Sequence, residues 1–147
     1  MISLLDVNVL VALAWPNHVH HEAAHRWFRQ AVSDGWATCP LTQTGFVRVS
    51  SNDRILPGAR QPAEAIALLE KITLVPGHVF WSDDISLCSS KFVFRERLTG
   101  YRQVVDAHLL ALALTRGGRL ATFDRGVTEI VPDPASAGRA LCVIPAA

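Results

Sequence analysis

Apolar residues in this chain fall into short blocks separated by single polar residues or by turn-forming clusters. Ile2 to Leu5 is a brief run that ends at Asp6-Val7-Asn8 and passes into the helical-looking Val9 to Trp15, the pattern of a strand feeding a helix. Pro16 and Asn17 end that helix. A second runs from about His20 to Ser33, with Ala24, Trp27, Phe28 and Ala31 on its buried stripe and Asp34-Gly35 closing it. Trp36 to Cys39 reads as a strand, Pro40 opens a third helix carrying Leu41 to Val49, and Ser51 to Arg60 is a polar loop turning at Pro57-Gly58. Pro62 stands at the first position of a helix over Ala63 to Lys71, where Ala65, Ile66 and Leu69 suggest core contact. A strand follows over Thr73 to Val75 or His78 to Trp81, around Pro76-Gly77. Asp83-Asp84 then precedes a predicted helix over Ile85 to Phe94.

The segment Gly100 to Gly126 organises the rest. Val104 to Leu114 is apolar on almost every face, which predicts a helix buried on most sides, with Asp106 and His108 as its two polar interruptions. Asp106 shares a face with Leu110 and Ala113, so its carboxylate enters the interior or a cleft, where an unpaired charge is costly. Gly117 and Gly118 stop the helix, Arg119 to Thr122 reads as a strand, and Asp124 follows in a Phe-Asp-Arg-Gly turn. Pro132, Pro134 and Gly138 read as a loop before a last strand over Ala140 to Ile144. Short strands alternating with helices predict an α/β fold, a mostly parallel central sheet with helices on both faces. At 147 residues this is one domain, residues 1–147, burying roughly two thirds of its unfolded surface.

Composition narrows the possibilities. Half the residues are hydrophobic and 18% are charged, which excludes a disordered chain. The net charge is only +1, so attraction to nucleic acid has to come from a local patch; the basic residues are twelve Arg and two Lys. Cys39, Cys88 and Cys142 are widely spaced in apolar surroundings and are expected as reduced core residues of a cytoplasmic protein. No Lys or Arg precedes the first apolar run, which Asp6 and Asn8 interrupt, so a secretory signal is not expected. No run approaches ~18 uninterrupted apolar residues, so neither is a membrane span.

Candidate chemistry comes from three acids. Asp6 ends the first strand, Asp124 follows a later one, and Asp106 lies in the first turns of a helix. In a doubly wound sheet, strand carboxyl ends and the helix amino ends that follow them share one rim, so all three acids are expected to converge there. Gathered carboxylates repel one another and call for a cation. Oxygen ligands select Mg²⁺ or Mn²⁺, an arrangement suited to activating water against a phosphodiester.

On these residues the chain resembles a PIN-domain protein and, within that family, the VapC toxins of VapBC toxin-antitoxin systems. The likeness rests on Leu5-Asp6-Val7-Asn8, on Thr42-Gln43-Thr44-Gly45-Phe46-Val47-Arg48, and above all on Val105-Asp106-Ala107-His108-Leu109 with Thr122-Phe123-Asp124. It implies a PIN-like three-layer fold and a Mg²⁺-dependent endoribonuclease, with Mn²⁺ as substitute, that leaves 3′-hydroxyl and 5′-phosphate ends. It also implies a homodimer and a VapB-type antitoxin that masks the acidic site. Asp6, Asp106 and Asp124 match the family's metal positions, and Thr122 its preceding hydroxyl. Gln43 stands where many relatives carry Glu, a neutral amide able to orient water or RNA but poor as a Mg²⁺ ligand. Arg125, Arg48 and Arg102 flank these segments and are expected to contact RNA phosphates, with Arg95 and Arg97 as further candidates.

Two other readings compete. Gln43 and the near-neutral charge allow a catalytically weak PIN module that acts by binding RNA or a partner. His21-Glu22-Ala23-Ala24-His25 spells the zinc-peptidase pattern H-E-x-x-H, although Phe28 and Ala31 occupy the Gly and His positions of its extended form.

Overall fold

The computed structural model describes residues 1–146. Five strands form one sheet: β1 (Ser3–Leu5), β2 (Trp36–Thr38), β3 (His78–Phe80), β4 (Arg119–Thr122) and β5 (Leu141–Val143). Their order is β3-β2-β1-β4-β5, and every neighbouring pair is parallel. The helices are α1 (Val7–Ala14), α2 (His21–Ala31), α3 (Pro40–Ser50), α4 (Pro62–Thr73), α5 (Val104–Thr115) and α6 (Pro134–Ala140). Side chains of a strand alternate between faces, and this alternation divides the interior. Leu4 and Leu120 pack with Leu109, Leu110 and Leu112 of α5, while Leu5 and Ala121 pack with Val9, Leu10, Ala24, Phe46 and Leu69 of the first four helices. The result is a three-layer α/β fold. Among the described residues, no helix is long and apolar enough to cross a membrane.

Because the chain winds outward from β1 to β3 and then returns to place β4 against the other side of β1, the direction of winding reverses between β1 and β4. Open parallel sheets bind ligands in the crevice beyond their strand carboxyl ends at such a reversal. The register pairs Leu5 with Ala121, so Asp6, just past β1, and Thr122, the last residue of β4, come side by side.

Four expectations need correction. The helix predicted over 85–94 is absent, because local side chains take the backbone donors a helix would use. Asp83 accepts from the Ile85 N–H at 3.1 Å, Ser86 from Cys88 at 3.1 Å and Ser90 from Phe92 at 3.2 Å, and Asp83 is also tied to His108 at 2.6 Å. The loop expected around Pro134 is instead α6, started by Asp133, whose side chain accepts from the Ser136 N–H at 2.8 Å, with Pro134 at its first position. Ile66 on α4 is 48% exposed rather than in the core. Cys39 is buried and Cys142 partly so, but Cys88 lies exposed in the irregular 85–94 segment.

Candidate active site

Asp6 occupies the turn between β1 and α1 and is only 7% exposed. Its backbone N–H donates to Ala121 across the sheet at 2.9 Å, and its side chain caps α1 by accepting from the Val7 N–H at 2.7 Å. The cap that a helix start requires is therefore also the residue that faces the crevice. Thr122, fully buried, donates its hydroxyl to the other carboxylate oxygen at 2.7 Å. That hydroxyl accepts in turn from the Asn8 amide at 3.1 Å and from the Asp124 N–H at 3.1 Å. Asn8 closes the set by accepting from the Phe123 N–H at 3.2 Å. The strand-end turns of β1 and β4 are thus joined through one hydroxyl and one amide. Asn8 stands in the Leu5-Asp6-Val7-Asn8 stretch without a role of its own in the sequence, and its place two residues after Asp6 is the signal that marks it.

Asp106 enters from the first turn of α5 and Asp124 from the turn after β4. Asp6, Asp106 and Asp124 line a single cleft of 460 Å³, together with Asn8, His18 and Arg102. Asp124 has one oxygen engaged by the Gly126 N–H at 2.8 Å. Burial, followed by the negative charges of Asp6 and Asp124, pushes the Asp106 carboxyl up to about 7. Burial also raises Asp6, opposed by its bonds from Thr122 and Val7 and reinforced by Asp124. The three acids therefore share one field with excess negative charge.

The donor set fits a hard divalent cation of the Mg²⁺ type in a particular way. Among the described residues, no three His, Cys, Asp or Glu side chains are close enough to enclose an ion. Mg²⁺, however, commonly keeps several waters and takes one or two carboxylates rather than a closed protein cage. Repelling carboxylates around an open cleft match that habit.

The other predicted residues separate. Arg102 lines the cleft. Arg48 lies in the neighbouring groove with Val7, Val49 and Val105, and Arg125 is exposed beside Asp124. Gln43 is not in the cleft: its amide donates to Thr38 Oγ1 at the end of β2 at 3.0 Å, and Thr38 in turn meets His78 at 2.7 Å. Arg95 and Arg97 hold the irregular loop, reaching the carbonyls of Cys88 at 2.6 Å and of Val131 and Pro132 at 3.1 and 3.0 Å.

The H-E-x-x-H stretch has a structural task. His21 Nδ1 lies 2.7 Å from the Ala12 carbonyl and His25 Nε2 lies 2.8 Å from the Leu13 carbonyl. Carbonyls only accept, so both rings donate to the last turn of α1, whose carbonyls have no partner within the helix. The two rings turn opposite nitrogens to the backbone, Glu22 is exposed, and no third ligand is in place among the described residues. His21→Ala or His25→Ala should therefore cost about 1–3 kcal/mol of stability by urea unfolding and leave metal content unchanged.

With this geometry in view, residues 3–131 match the PIN domain family, and the chain belongs to it. Its relatives are bacterial ribonucleases by name. It is 51% identical over 138 residues to Ribonuclease VapC39 of Mycobacterium tuberculosis, covering 94% of this chain and 96% of that protein. It is 53% identical over 125 residues to Ribonuclease VapC38 of the same organism, covering 85% and 86% respectively. Among solved structures, the M. tuberculosis VapC20 toxin, described as cleaving the sarcin-ricin loop, superposes with a TM-score of 0.59 at 17% identity, covering 95% of this chain and 96% of that one. That likeness shows a shared fold.

Proposed function

We propose that this chain is a Mg²⁺-dependent endoribonuclease, the toxin of a type II toxin-antitoxin pair. The observation that carries the reading is the meeting of Asp6, Asp106 and Asp124 in one cleft at the point where the sheet's winding reverses. The kinship with VapC ribonucleases supports RNA as substrate and a VapB-type antitoxin as partner; a homodimer is part of the same proposal.

Of Asp6, Asp106 and Asp124, one or two would hold the cation directly and the rest through bound water. When bound, Mg²⁺ or Mn²⁺ supplies the positive charge and activated water that hydrolysis to 3′-hydroxyl and 5′-phosphate ends requires. Thr122 and Asn8 fix the orientation of Asp6 and act as positioning residues. Arg102 at the cleft, with Arg125 and Arg48 on its flanks, holds the RNA phosphates, and their planar guanidinium groups suit that contact.

Purified protein incubated with RNA tests the reading. Cleavage should vanish with EDTA and return with excess Mg²⁺, and the fragments should carry 5′-phosphates open to phosphatase. RNA binding without cleavage in either Mg²⁺ or Mn²⁺ would contradict it and favour a binding module. Thr122→Val removes the hydroxyl donated to Asp6 and should reduce cleavage about 10–100-fold and shift half-maximal activity to higher Mg²⁺, while the chain stays folded.

A further inference from the structure

The cleft that holds the three acids also has an aliphatic lining. Ile55, 61% exposed, and the half-buried Val49 present it, with the buried Val11 and Leu56 behind them. Hydrolysing a phosphodiester needs charge and water, so this lining has no part in the hydrolysis itself. His18 lines the same cleft. The His20 N–H donates to His18 Nδ1 at 3.0 Å, so Nδ1 carries no proton and the neutral ring keeps its proton on Nε2 as a fixed donor. The whole cleft, at 460 Å³, lies in the about 300–1,000 Å³ range of small-ligand sites.

Resting on the ribonuclease reading above, we propose that the aliphatic lining of the cleft is a subsite for one unpaired nucleobase. This base belongs to the nucleotide beside the phosphate held at the acids, and His18 reads an acceptor on its edge. The base packs against Ile55 and Val49, with the buried Val11 and Leu56 beneath them, contacts that tolerate any ring, while the single Nε2–H supplies the selectivity. Splaying one base out of its stack into such a site is how proteins read single-stranded RNA. Arg102, at the same cleft, holds the adjoining phosphate.

The test takes an RNA cut by the wild type and places each of the four bases in turn on either side of the cut. His18→Leu and Ile55→Ser should each raise KM on the order of tenfold, leave kcat within about twofold, and level the base preference at one flanking position. His18→Gln, which keeps a donor, should retain the preference. Unchanged KM and preference in both His18→Leu and Ile55→Ser would overturn the proposal. In parallel, the four ribonucleoside 5′-monophosphates are titrated into the wild type with Mg²⁺ and followed by NMR. Shifts at His18 and Ile55 support the subsite, and no shift with any of the four overturns it whether or not RNA is cut. Shifts without RNA cleavage would overturn the ribonuclease reading and leave the base subsite standing.

Discussion

RNA cleavage should fall on the order of 10²–10³-fold in Asp106→Asn, because the change removes one negative charge from the cleft and keeps the shape of the side chain. The same variant has an opposite effect on the fold. In the metal-free wild type, the Asp106 carboxyl titrates at about 7 rather than near 3.8, driven by burial and then by Asp6 and Asp124. A folded-state pKa raised above the unfolded value means that the folded chain holds the proton more tightly. The associated stability is complete below about pH 3.8 and is lost as pH rises towards 7. Thermal melts of the metal-free protein should therefore drop across that window, and Asp106→Asn should flatten the profile and stabilise the chain at pH 7. Allowing for solvent screening at this partly exposed group, the gain is about 1 kcal/mol. A variant that keeps wild-type cleavage would remove Asp106 from the site.

Gly118→Ala has the largest expected effect on folding. A Cβ at Gly118 would lie 2.5 Å from the Ile2 carbonyl oxygen and 2.7 Å from the Trp81 ring. The first of these is backbone that already accepts from the Arg119 N–H at 3.0 Å in the β1–β4 pairing, so it cannot move without shifting β1. The expected loss is about 3 kcal/mol by urea unfolding. Asp6 follows the first of those strands and Thr122 ends the second, so cleavage should fall with the fold. Gly117→Ala is the comparator. Its φ of +72° favours glycine, but a Cβ there meets open space, and about 1 kcal/mol is expected. Equal costs at the two positions would contradict the packing account.

The elements that position the cleft were legible because each carried two agreeing signals. The Ile2–Leu5 run breaks at a capping acid, and the apolar 104–114 stretch ends at paired glycines. Asp6, Asp106 and Asp124 could be grouped from those positions alone, since a parallel sheet sends strand ends and helix starts to one edge. The 85–94 segment misled because its apolar residues have helical spacing, while Asp83, Ser86 and Ser90 bind the local backbone and override it. Asp133-Pro134 was read as a loop because its prolines outweighed the cap that the pair also forms. Gln43 shows a different limit. The resemblance places it at an acidic position of the family, but the direction of its side chain is set by Thr38, a neighbour that only the folded β2 brings within reach. The same holds for His18, whose place in the cleft depends on how residues 15–20 cross from α1 to α2.

The divalent-cation site proposed for these carboxylates is tested most directly by titrating Mn²⁺ into the metal-free chain and following its paramagnetic resonance signal. Saturable binding is expected, displaced by Mg²⁺, lost in Asp6→Asn and Asp106→Asn and weakened in Thr122→Val. No binding by the wild type, or undiminished binding in both Asn variants, would contradict it.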